Sequence, residues 1–243
     1  MIKTIYILWF QGFNNAPPIV KICVNSYKYY NPDWNIILLD NTNLINYINL
    51  EDYIKDINNK NINKCHLSDI IRMLLLKLYG GLWVDATSFC NKPLNNWLPK
   101  YITKGFFVFD KPWPDRLISN WFIYSDKNNY IIDKWCNQTI KYYNKNNEAS
   151  NYFIHHYLFN SLYKYDIIFR QLWNNVPKLS ANGPHYLQKN GYFNNITIKN
   201  KLEIDYKIVP VYKLTYKCKF PPYNINKNLY YLCSTINKFN FIN

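Results

Sequence analysis

Residues 68–87 (SDIIRMLLLKLYGGLWVDAT) hold two acids and an arginine whose types and spacing suit chemistry on a charged, hydroxyl-bearing ligand. Asp69 and Arg72 stand three apart, so on a helix they share one face. The residues around them, Ile70, Ile71 and 73–76, are apolar, which buries that helix. A carboxylate and a guanidinium on a buried surface must pair or meet a ligand, because an unpaired buried charge is costly. Asp85 closes the apolar run that follows Gly80-Gly81. A carboxylate at the carboxyl end of a strand can hold a sugar or ribose hydroxyl, or a divalent cation bridging a diphosphate. Plainer readings stand beside these: an ion pair at a helix start for Asp69 and Arg72, and a turn cap for Asp85. Arginine is scarce, with Arg72, Arg116 and Arg170 the three in the chain.

The elements that must position these groups read as alternating strands and helices. Residues 3–10 form a continuous apolar run closed by Gly12, which suits a buried strand. Pro17-Pro18 opens a helix through Tyr30, ended by Asn31-Pro32, and residues 34–39 (WNIILL) form a second buried strand ending at Asp40. Helical patterns follow over 44–57 and 68–79. Ser68 is the expected N-cap of the second, and Gly80-Gly81 supplies its left-handed stop. Residues 82–89 and 105–109 read as strands, 130–143 and 150–163 as helices, and 206–216 as a late strand carrying Lys213 and Lys217. This alternation predicts an α/β fold, with a Rossmann-like sheet, parallel at least in its N-terminal part, flanked by helices. No internal repeat and no Pro-, Gly- or Ser-rich linker divides the chain, so residues 1–243 are expected to form a single domain.

Composition bounds the function classes. A hydrophobic content of 49% over 243 residues provides for a full core and excludes a disordered chain. The net charge of +14 attracts nucleic acid, anionic membrane and phosphorylated small molecules alike. Abundant Asn, Ile, Lys and Tyr beside scarce Arg follow from an AT-rich coding sequence, so part of that charge is background. Six widely scattered cysteines have neither CxxC nor Cys/His metal spacing and read as free thiols in a reducing compartment. The N-terminus lacks a signal-peptide pattern, and no apolar run approaches the roughly 18 residues that span a membrane. A cytoplasmic protein, with a peripheral contact at an anionic membrane as an option, is the expectation.

The central block resembles the sugar-nucleotide-binding core of capsular polysaccharide synthesis-type glycosyltransferases. These are related to the DXD-containing mannosyltransferase and glucosylating-toxin families. The Ser-Asp-x-x-Arg spacing of Ser68, Asp69 and Arg72 matches, and Gly80-Gly81-Leu82-Trp83-Val84-Asp85-Ala86-Thr87 follows in register. Asp85 stands as the first acid of the DXD and Thr87 replaces the second. The opening IYILWFQG, then NPDW, ISNWFIYS, YFIHHYLF and VYKLTYK are similar to further segments of the capsule type.

The resemblance implies a glycosyltransferase A-type fold, with residues 1–110 as the nucleotide-sugar half and 111–243 as the acceptor half. It implies transfer of a sugar from a nucleoside diphosphate sugar to a glycan or lipid-linked saccharide acceptor, with retention of configuration. Trp9 would stack on the base, Asp69 and Arg72 would lock sugar hydroxyls, and Asn120 would face the transferred sugar. Trp83 would belong to the same donor site. Asp85 with Thr87 would hold Mn²⁺ or Mg²⁺ on the diphosphate. Lys213 and Lys217 would meet the diphosphate, or take over the charge stabilisation from a metal. His155 and His156, in an aromatic helix, read as packed or hydrogen-bonded core residues. A catalytically silent sugar-binding protein and a basic nucleic-acid-binding protein are the competing classes. The second lacks any recognisable module and leaves Asp69, Arg72 and Asp85 unexplained.

Overall fold

Residues 1–236 are described by the structure, a computed structural model. The N-terminal apolar run forms β1 (Thr4–Leu8), and Pro18 at the first turn opens α1 (Pro18–Tyr30). Next come β2 (Asn35–Leu39), α2 (Lys64–Tyr79), β3 (Gly81–Val84) and the short β4 (Ser88–Cys90). A long hairpin, β5 (Phe106–Trp113) and β6 (Arg116–Ser125), leads into α3 (Tyr130–Lys145), α4 (Ile154–Tyr165) and α5 (Ile167–Asn174). The C-terminal part carries α6 (Tyr186–Asn190), α7 (Ile198–Asp205), β7 (Val211–Lys213) and α8 (Asn228–Ser234).

Five strands make one mixed sheet in the order β2-β1-β3-β6-β5. β1 is parallel to β2 and β3, as the alternation predicts, while β6 runs antiparallel to β3 and β5. Alternate residues leave the sheet on opposite faces. Ile5, Ile7, Leu82 and Val84 enter a core with α1, α7 and α8, while Tyr6, Leu8, Trp83 and Ile123 enter a second core with α2, α3 and α4. The chain is thus an α/β layered fold with a mixed sheet between two helical faces.

Gly80 and Gly81 do more than stop α2. Both have positive φ, at 69° and 105°. A Cβ on Gly81 would lie 2.8 Å from the Thr4 carbonyl oxygen, and one on Gly80 2.7 Å from the Lys127 nitrogen. Side-chain-free backbone therefore lets β3 sit against β1 directly after the helix.

Several sequence expectations are corrected. α2 starts one turn earlier than Ser68: Asn63 is its N-cap, accepting from the His66 backbone N–H at 3.0 Å. Residues 44–57 form no α-helix but short 3₁₀ turns, Leu44–Asn46 and Leu50–Asp52, with Ile57–Asn59 after them. The Asn144 side chain accepts from the Lys55 N–H at 2.8 Å and donates to the Tyr53 carbonyl at 3.0 Å, and Asp56 is left-handed with φ 54°. The strand expected over 82–89 breaks at Asp85, where Ser88 N–H and Oγ both donate to the Asp85 carbonyl. The late strand is only Val211–Lys213, paired with β4. β6 was not read as a strand from the sequence.

Candidate active site

β1 and β3 end side by side, and their carboxyl ends open into a cavity of about 410 Å³. Ligands collect at this edge of α/β sheets because loops and helix starts converge there. Trp9 follows β1, Asp85 and Thr87 follow β3, the first turns of α2 bring Asp69, and β7 brings Lys213. The earlier start of α2 places Asp69 and Arg72 in its second and third turns, where both are buried.

Arg72 is the hub. Its Nε donates to the Ser68 carbonyl at 3.1 Å, Nη2 to Ser68 Oγ at 2.9 Å, and Nη1 to the Asn120 carbonyl. Nη1 also lies 3.2 Å from Asp69 Oδ1, and Nη2 lies 3.4 Å from Asp85 Oδ1. Three hydrogen bonds to Ser68 and Asn120 thus hold the guanidinium in place, and its charge is shared between the two carboxylates. Its plane also lies over the Trp83 ring, 5.0 Å from the centroid. The sequence reading of a helix-start ion pair is half of the arrangement; the other half is the bridge to Asp85.

Asp69 gathers three partners on one oxygen. Arg72, the Asn120 side-chain amide at 2.9 Å and His155 Nδ1 at 3.4 Å all meet Oδ1. Oδ2 accepts no hydrogen bond among the described residues, so it stays open to a ligand hydroxyl. Burial opposes the charge on Asp69, but Arg72 and the His155 ring hold its carboxyl down at about 2. His155 is buried and stacks on Trp135 with centroids 4.3 Å apart, fitting the core reading while also bracing Asp69. His156 is buried too, and lines the cavity.

Asp85 has both oxygens engaged. Oδ1 accepts from the Trp83 indole N–H at 3.1 Å and Oδ2 from Lys213 Nζ at 2.7 Å. Burial raises its pKa, but Lys213 and Arg72 outweigh that and hold it below the usual carboxylate range. Trp83 is itself 1% exposed, so its polar contribution reaches the cavity through Asp85. Lys213 Nζ also donates to Thr87 Oγ1 at 3.0 Å. The ammonium therefore stands where Asp85 and Thr87 were expected to hold a metal. With the Lys213 ammonium seated between them, and a single carboxylate rather than a cluster of oxygen anions among the described residues, Asp85 and Thr87 do not fit a divalent ion.

The remaining expected residues also come together. Trp9 is in the wall, edge-on to Tyr216 with centroids 5.1 Å apart, and its buried indole N–H has no hydrogen-bond partner among the described residues. Asn120 and the exposed Lys217 line the cavity as well. Sequence reasoning missed His66, Tyr152, Gln188 and Tyr216, which line it too. None lies in a spacing that carries a chemical signal; the first turn of α2 delivers His66, the short α6 Gln188, and loops the two tyrosines. The lining holds Lys64, Arg72, Lys213 and Lys217 against two carboxylates, so it is net positive.

The fold defines the class first: an α/β protein with a mixed sheet between two helical layers and a cavity at the strands' carboxyl ends. The solved structure of PaToxG glycosyltransferase superposes with a TM-score of 0.50 at 19% identity, covering 71% of this chain and 73% of that one. At that identity the likeness is one of fold. Residues 1–232 match the family of capsular polysaccharide synthesis proteins, and the chain belongs to that family. It is also 29% identical over 151 residues to the O-glycosyltransferase braB of Annulohypoxylon truncatum, a match covering 55% of this chain. The match spans about a third, 36%, of that relative's length.

Proposed function

We propose that the protein is a glycosyltransferase that moves a sugar from a nucleoside diphosphate sugar to a hydroxyl of a glycan or lipid-linked saccharide. The observation that carries this reading is the convergence of Asp69, Arg72, Asp85 and Lys213 at the adjoining ends of β1 and β3, in a net-positive cavity. A diphosphate carries negative charge on both phosphates, and the surplus of cations complements it. Trp9 offers an aromatic surface to the base. Asp69 offers an ionised oxygen, Oδ2, to a sugar hydroxyl, and Arg72, Asn120 and His155 fix its direction.

In the transfer, the bond from the anomeric carbon to the β-phosphate oxygen breaks and its electron pair leaves with the diphosphate. The acceptor oxygen bonds to the anomeric carbon and loses its proton. Asp69 and Asp85 are the carboxylates lining the cavity among the described residues, and both are held in the ionised form by cations. Neither suits a strong base, which favours release of the acceptor proton to the departing diphosphate on the same face and retention of configuration.

A melting-temperature screen of UDP, GDP and dTDP sugars tests the donor. A ligand at a hundred times its dissociation constant adds roughly 2.7 kcal/mol to stability. Absence of a shift with every one of these sugars, with and without Mn²⁺, would remove the donor reading. Release of free sugar in the presence of a stabilising donor distinguishes an enzyme from a silent binder.

A further inference from the structure

The three groups that meet at the end of β3 balance charge in an unexpected way. A divalent ion between two carboxylates is neutral as a unit; so is one ammonium between one carboxylate and one hydroxyl. Here the second pattern is present: Lys213 Nζ lies 2.7 Å from Asp85 Oδ2 and 3.0 Å from Thr87 Oγ1. Thr87 is matched to the lysine: its hydroxyl accepts from the ammonium without adding a second charge beside Asp85.

The lysine is placed by the architecture rather than by a mobile tail. β7 pairs with β4 so that Lys213 stands opposite Ser88. On either side of the side chain, Lys213 N–H donates to the Pro184 carbonyl at 2.9 Å and Leu214 N–H to the Thr87 carbonyl at 2.8 Å. The ammonium passes over the Trp121 ring at 5.8 Å. Of its three N–H donors, two are used by Asp85 and Thr87; among the described residues the third has no acceptor. Among the described residues there is also no group of three or more His, Cys, Asp or Glu able to hold a metal ion.

We infer that Lys213, clamped by Asp85 and Thr87, supplies the positive charge that meets the donor's diphosphate, and that donor binding and transfer do not depend on a divalent cation. This rests on the donor reading above. As the bond from the anomeric carbon to the phosphate oxygen breaks, the electron pair passes to that oxygen, and the fixed ammonium stabilises the charge that gathers on the diphosphate. Lys213 keeps its protons throughout. Asp85 and Thr87 act as positioning residues, holding the ammonium so that no reorganisation is needed when the charge develops.

Calorimetric titration of UDP, GDP and dTDP into the wild-type protein, in EDTA and in Mn²⁺, tests this directly. The expected result is binding of at least one of them in EDTA, changed less than about threefold by Mn²⁺. Lys213→Gln is expected to weaken that diphosphate roughly ten- to hundredfold, the loss of one charge-assisted hydrogen bond, and to leave the matching nucleoside unchanged. The double variant Thr87→Asp with Lys213→Ala, which exchanges the ammonium for a second carboxylate, is expected to gain Mn²⁺ binding, read from the loss of the free-ion paramagnetic resonance signal. Wild-type binding that improves tenfold or more with Mn²⁺, or an unchanged diphosphate affinity in a folded Lys213→Gln, overturns the inference while leaving the donor reading intact. No binding of any of the three in either condition overturns both.

Discussion

Arg72 Nη2 lies 3.4 Å from Asp85 Oδ1, so the guanidinium that starts on α2 ties the helix to the end of β3. The same group holds Asp69 at 3.2 Å. One residue thereby fixes the two carboxylates of the cavity relative to each other.

Arg72→Lys should therefore lower kcat/KM almost as far as Arg72→Ala. An ammonium is a point charge with three donors and cannot reproduce a planar fork that bonds Ser68 and the Asn120 carbonyl while pairing with both carboxylates. The expected loss is about 2–4 kcal/mol in transition-state binding, by comparison with removal of a preorganised donor. Steady-state kinetics on variants with native circular dichroism is the measurement. Turnover close to wild type in Arg72→Lys would reduce the arginine to a structural ion pair.

Trp9→Ala should weaken binding of the nucleoside part of the donor and spare the phosphate part. Base-aromatic stacking is worth about 1–3 kcal/mol. Titrations of nucleoside and of inorganic pyrophosphate separate the two, and equal losses for both would point to a collapsed cavity rather than a lost stacking surface.

Acid should destabilise the fold in a defined order. Burial depresses the His155 pKa against the pull of Asp69, and burial together with His155 takes His156 to about 3. A group with a depressed folded pKa contributes fully above its unfolded pKa and loses that contribution as pH falls toward the folded value, because the unfolded chain binds the proton first. The histidines therefore act below about pH 6.5, His156 down to about 3, and Asp69 acts below about pH 4, down to about 2. Each proton taken up on unfolding contributes a slope of about 1.4 kcal/mol per pH unit. Chemical denaturation across pH 5 to 7 should show stability falling on acidification, with a shallower fall in His156→Gln. Parallel curves for the two proteins would rule His156 out as the source.

Gly81→Ala should cost about 2 kcal/mol or more in stability. The new Cβ would stand 2.8 Å from the Thr4 carbonyl oxygen, and φ of 105° is strained for any side chain. Equilibrium urea unfolding reads the change. A loss below about 0.5 kcal/mol would mean that β1 and β3 can separate without penalty.

Periodicity and local chemistry were enough for much of this protein. Three-residue spacing puts Asp69 and Arg72 on one helix face wherever the helix begins, Gly80-Gly81 ends it, and the apolar run after them is a strand with Asp85 at its mouth. These are short-range constraints, set by backbone geometry within a few residues. Even locally there were competitors. Asn63 and Ser68 can both cap a helix, and the hydrogen bond from His66 N–H settles the choice for Asn63. Over 44–57 the distant Asn144 takes backbone groups of Tyr53 and Lys55 and Asp56 turns left-handed, so a helical pattern of apolar residues yields separate turns.

Tertiary structure alone decided the partners across the cavity. The VYKLTYK segment points to Lys213 and Lys217 together, and no local pattern chooses between them. Lys213 meets Asp85 because β7 pairs with β4, far earlier in the sequence. Asn120 reaches Asp69 because β6 enters the sheet beside β3, and His155 reaches it because α4 packs against that hairpin strand. Strand pairing over such separations follows from which apolar faces bury together, a property of the whole core that no local spacing records. The sequence therefore supplied the carboxylates and the arginine, and the folded sheet chose the lysine that neutralises one of them.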